Sequence, residues 1–133
     1  MDIREFLEAR LAEDEARARE ACDSDSGRWF MGDKWNVYRA EDEAPEEDFE
    51  ENKLVTWGNV KPQSEHIARH DPARVLRDVE AARQRIELAA KLLAERGHKF
   101  WAYAGGQLLR LEAARYADHP DYDPTWSPEA SHG

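Results

Sequence analysis

The sequence predicts an α+β fold, mainly helical, in which three principal helices accompany a small antiparallel sheet placed between the first and second long helices. Three observations carry that prediction. From Ile3 to Cys22 there is neither Gly nor Pro, and Ile3, Phe6, Leu7, Leu11, Ala18 and Ala21 fall near one helical face. Asp71-Pro72 is the best helix start in the chain: an Asp can accept from the free N–H groups of the next turn, and a Pro is pre-set for the first helical position. Between these helices, residues 28–40 and 53–58 are dense in aromatic and β-branched side chains and have no helical period.

In chain order, the first helix is expected over residues 2–22. Asp14 interrupts its apolar stripe, standing where the step from Leu11 to Ala18 calls for an apolar side chain; either the stripe drifts and Asp14 faces water with Glu13 and Glu15, or the carboxylate is buried and needs a partner. Asp23-Ser24-Asp25-Ser26-Gly27 is a turn cluster that ends the helix. Trp29 to Tyr38, with Gly32-Asp33 in the middle, reads as a strand or short hairpin, and Lys53 to Trp57 as a strand able to pair with it. Between them, Glu41 to Glu51 is an acidic run broken by Pro45 and is expected to be a mobile loop.

Pro62 opens a short helical turn that carries His66 and His70. Four residues apart, the two imidazoles leave one helical face about 5–6 Å apart at Cβ. The second long helix is expected over residues 72–96, with Val75, Val79, Ala82, Ile86 and Leu93 as its apolar positions, Arg83, Arg85, Glu80 and Glu87 as surface charges, and Gly97 as a left-handed cap. Phe100 to Gly106 is ambiguous between a kinked continuation and an irregular connection. A last helix is expected over residues 107–117, closed by Tyr116 to Pro120.

The 133 residues suit one domain. Residues 1–119 are expected to form it, residues 41–51 being its mobile acidic loop, with 120–133 an extended C-terminal tail on which Tyr122 and Trp126 remain able to dock. The 29 acidic against 19 basic side chains give a net charge of −10, which argues against binding nucleic-acid backbones and fits a basic protein partner, or simple solubility, better. Cys22 is the only cysteine, so no intrachain disulfide forms. With no leader-like N-terminus and no membrane-spanning run, a cytoplasmic protein without a membrane is expected.

Four segments carry a resemblance: Leu11 to Arg17, Gly27-Arg28-Trp29, His66 to Leu76, and Tyr116 to Tyr122 followed by Trp126. Together they resemble an uncharacterised family of small proteins, a domain of unknown function of actinobacteria and the phages that infect them. The resemblance spans nearly the whole chain and implies no activity, ligand or partner. Members often carry a proline where Arg28 stands.

Within these segments Asp14, His66, His70 and His119 have ligand chemistry, with Asp71 and Asp118 beside them. Two readings stay open. Three imidazoles and a carboxylate make a plausible set for zinc or another divalent metal, or the histidines serve as polar packing near helix ends. As an enzyme the chain has only one route, a metal-dependent hydrolase using that cluster, because it holds no phosphate loop, nucleophile signature or HExxH. The competing class, favoured here, is a non-catalytic interaction or accessory protein, associated with a phage or mobile element as the resemblance implies.

Overall fold

The computed structural model describes residues 1–22, 26–40, 54–57 and 59–128. Part of the turn cluster (Asp23 to Asp25), the acidic segment 41–51 with Asn52 and Lys53, Gly58 and the end of the tail from Glu129 onward lie outside the described residues. Four α-helices and three short strands are found among the described residues, in the order α1 (Ile3–Cys22), β1 (Trp29–Met31), β2 (Val37–Arg39), β3 (Leu54–Thr56), α2 (Lys61–Arg69), α3 (Pro72–Leu93) and α4 (Lys99–Ala114). The chain divides into two compact units, Met1–Glu13 with Val79–Gly133, and Asp14–Asp78.

In the unit of residues 14–78, the strands form an antiparallel sheet in the order β1-β2-β3. Residues 28–40 are thus a hairpin, with a tight turn at Asp33–Trp35 between its strands. Phe30 stands opposite Tyr38 with the rings stacked at 5.8 Å, and with Ala40 and Leu54 they make an apolar cluster, the cross-strand pairing by which a small sheet gains stability. Helix α2 packs on β1 and β2. It is a full helix, longer than the single turn expected, and its buried Ser64 donates from Oγ to the Trp35 carbonyl. That hydroxyl holds the hairpin turn, where Lys34 and Trp35 both take positive φ values of 54° and 62°, a conformation that needs outside support in non-glycine residues.

The Asp71 cap is present and does more than cap. Its Oδ1 accepts from Arg74 N at 2.8 Å, as an N-cap does, while Oδ2 accepts from Trp29 N at 3.1 Å, tying β1 to the start of α3. Gly27 completes the junction at φ +76°, its carbonyl accepting from Ala73 N at 2.9 Å. A Cβ there would lie 2.7 Å from Cys22 Sγ.

In the unit of residues 1–13 and 79–133, α1 opens with a reciprocal capping box. Glu5 N donates to Asp2 Oδ1 at 2.8 Å and Asp2 N donates to Glu5 Oε2 at 2.9 Å. Phe6, Leu7 and Leu11 of α1, Val79, Ala82, Ile86 and Ala89 of α3, and Leu109 and Ala113 of α4 are the buried apolar residues. Here the last two helices depart from expectation. Helix α3 stops at Leu93, three residues early, with Glu95 N turned back to the Leu92 carbonyl at 3.1 Å, and Gly97 does not take a left-handed conformation. Helix α4 starts at Lys99 and runs unbroken through Gly105 and Gly106 to Ala114. The reason is close approach: a Cβ on Gly105 would lie 2.5 Å from the Ala89 carbonyl oxygen and 2.6 Å from Leu93 N. The pair of glycines that looked like a break is the place where α4 rests on the backbone of α3. Arg85, half-exposed as a surface charge, pairs with Glu112 of α4.

Candidate functional site

The expected ligands fall in both units. In the unit of residues 14–78, Asp14 is half-buried and lines a cleft of about 210 Å³ together with Arg17, Trp29, His70, Pro72 and Val75. Three of the four segments that carry the family resemblance thus meet at one place. His66 and His70 sit at the end of α2, exposed, with ring centroids 4.2 Å apart and 33° between planes. His70 Nδ1 lies 2.8 Å from the His66 carbonyl oxygen. A carbonyl only accepts, so Nδ1 carries the hydrogen and the neutral ring keeps its lone pair on Nε2. Both rings line a groove of about 560 Å³ with Glu65 and Arg69.

His119 lies in the other unit, where its neighbours are cationic and aromatic. Arg10 is 6% exposed, and its Nη1 stands 2.7 Å from His119 Nδ1 and 2.6 Å from Nε2. Asp121 N donates to Nδ1 at 3.0 Å, so the ring is held between the Asp121 backbone and the Arg10 guanidinium. Glu13 at 3.1 Å and Asp121 at 3.4 Å balance the guanidinium, whose Cζ also lies 5.3 Å from the centre of the Phe6 ring. Phe6 is fully buried by this corner of the chain: Trp126 at 5.1 Å, His119 at 5.8 Å, Tyr122 at 6.0 Å and Tyr116 at 6.3 Å surround it. Tyr122 and Trp126 therefore pack on the body. A turn at Pro124–Trp126 holds them, capped by Asp123, whose carboxyl is kept below its ordinary range chiefly by the Thr125 backbone N–H and then by the Thr125 hydroxyl.

Among the described residues no group of three or more His, Cys, Asp or Glu side chains is placed to hold a metal ion. Asp14 and His70 share a cleft, His66 stacks on His70, and the contacts of His119 are with Arg10, Asp121 and Phe6. Arg10 is the residue that sequence reasoning missed. The signal was present, since Arg10 stands four after Phe6 and three after Leu7 on the apolar stripe, the same kind of interruption that singled out Asp14.

Helix α4 presents a different feature. Its inner face buries Gly105, Leu109 and Ala113. On the outer face Phe100, Trp101, Leu108 and Leu111 are 68%, 43%, 40% and 55% exposed. At helical spacing these four fall within roughly a 100° arc, and the Phe100 and Trp101 rings meet edge to face at 5.3 Å.

The chain belongs to a family of unknown function, DUF6221, whose model matches residues 1–128. No curated protein and no solved structure matches it. No helix among the described residues is long and apolar enough to cross a membrane.

Proposed function

We propose that this protein is a non-catalytic interaction protein that binds a protein partner through the outer face of α4. The observation that carries this reading is that α4 is apolar on two faces and buries only one. A helix ordinarily buries its apolar stripe and turns polar residues to water, so the open stripe of Phe100, Trp101, Leu108 and Leu111 is the half of an interface this chain supplies. Those side chains expose roughly 400 Å² together, the size of the largest apolar patch on an ordinary monomer, which is often a functional one. Large aromatic side chains at such a patch are the type that dominates binding energy.

The occupant fits a chemical description: an apolar helix or groove with neutral or basic flanks. A chain of net charge −10 repels a second copy of itself and attracts a basic rim. In keeping with the family resemblance, the setting we propose is the cytoplasm, as an accessory factor associated with a phage or mobile element of actinobacteria.

Leu108→Glu with Leu111→Glu places charge on the stripe at positions that point away from the core. The test is quantitative affinity capture with the parent, this variant and an Arg77→Glu control, followed by reconstitution of the complex from the purified partner. A partner held stoichiometrically by parent and control and lost by the stripe variant, with unchanged circular dichroism, supports the reading. A partner held equally by all three overturns it.

A further inference from the structure

We infer that His66 and His70 form a two-nitrogen site for a divalent first-row transition ion, with copper(II) held most tightly. The inference is independent of the α4 surface. It rests on the tautomer that the fold imposes on His70. The Nδ1–H is committed to the His66 carbonyl at 2.8 Å, the backbone carbonyl partner that a metal-binding imidazole ordinarily has, which fixes the ring and leaves Nε2 as the donor. His66 stands one turn before it with the rings 4.2 Å apart. Two nitrogens at the usual bond length of about 2.0–2.1 Å subtend a bite of about 3 Å; with His70 held by its hydrogen bond, the exposed His66 ring is the one that turns about its side-chain bonds to bring a nitrogen to that distance.

Both histidines are exposed and face an open groove of about 560 Å³, so water can complete the coordination shell. Glu65 and Arg69 line the same groove and offset each other in charge. The ligand set is thus narrower than the four residues suggested by the sequence: two imidazoles on one helical turn. Nitrogen ligands of this kind follow the order in which copper(II) exceeds nickel(II) and zinc(II).

The test is calorimetric titration of the full chain with copper(II) and with zinc(II) in a non-coordinating buffer, beside His66→Gln, His70→Gln and a His98→Gln control. The expected result is one equivalent of copper(II) bound by parent and control, weaker zinc(II), and a loss of at least about tenfold in affinity in each of the first two variants. Electron paramagnetic resonance of the copper-loaded parent gives a readout that does not depend on the variants folding, because two equatorial imidazole nitrogens leave a characteristic coupling. Absence of stoichiometric copper(II) binding, absence of that coupling, or equal affinity in folded His66→Gln and His70→Gln variants overturns the inference.

Discussion

Asp71 and His119 show how single residues bear weight that their neighbours in sequence do not announce. Asp71 satisfies two backbone donors, Arg74 N and Trp29 N. Asp71→Ala removes a helix cap, commonly worth about 1 kcal/mol, and also strands a donor of β1, so the expected loss is about 2–3 kcal/mol, read as a lower urea midpoint at unchanged slope. The cap was legible because an N-cap is a local matter between residues three apart. The Trp29 bond was not, because it joins residues 42 apart and depends on how the hairpin lies. His119 presents the same contrast. The sequence marks it as a ligand, and its contacts are a buried guanidinium and a fully buried phenyl ring. His119→Ala removes the ring packed against Arg10 and Phe6, at an expected cost of about 1–3 kcal/mol. His70→Ala alters an exposed ring and is expected to stay within about 0.5 kcal/mol. Chemical denaturation of the two variants side by side separates these outcomes, and a larger loss for His70→Ala would reverse the assignment.

At the scale of elements, what the sequence tells depends on whether a signal is periodic or positional. Helix α1 and the start of α3 follow from apolar spacing and caps, and they stand within a residue of expectation. Helix α4 was hidden because Gly-Gly is read locally as a break, whereas here glycine meets a tertiary demand for close approach. The sheet could be anticipated as β structure, yet the turn that makes residues 28–40 a hairpin relies on Ser64, far along the chain. Of the candidate ligands, the His66 and His70 pair was readable because it is a spacing within one helix. The surroundings of Asp14 and His119 required tertiary placement. Gly105 gives the test of this view. Alanine is the better helix former by about 1 kcal/mol, so a purely local account predicts stabilisation by Gly105→Ala. A methyl group 2.5 Å from the Ala89 carbonyl oxygen instead forces α3 and α4 apart, with a net destabilisation on the order of 1–3 kcal/mol. A fall of several degrees in the thermal midpoint is expected.

The whole chain poses the question of where its stable body ends. By composition the chain after His119 reads as a tail, with Pro and Gly and few aliphatic residues. In the unit of residues 1–13 and 79–133, however, Tyr122 and Trp126 cover Phe6, Asp121 holds Arg10, and the Thr125 carbonyl accepts from Arg110 at 2.6 Å. A chain ending at His119 therefore uncovers a large aromatic ring and unbalances a buried cation, and it is expected to lose on the order of 3 kcal/mol or more. The docked segment also carries its own acid sensitivity. Asp123 titrates below its ordinary value of 3.8 in the folded chain, held there by the Thr125 N–H first and the Thr125 hydroxyl second. A carboxyl depressed by folding adds stability that is fully present above its unfolded value and is lost as pH falls through the folded one. The turn at Pro124–Trp126 should thus loosen only below pH 3.8, and remain closed through neutral pH. The Trp126 indole resonance, followed by nuclear magnetic resonance in an acid titration of the parent and of Asp123→Ala, measures this. In the parent the resonance should move toward the position it has in the variant as the pH drops, and a Trp126 signal already mobile at neutral pH in the parent would mean that the segment does not dock.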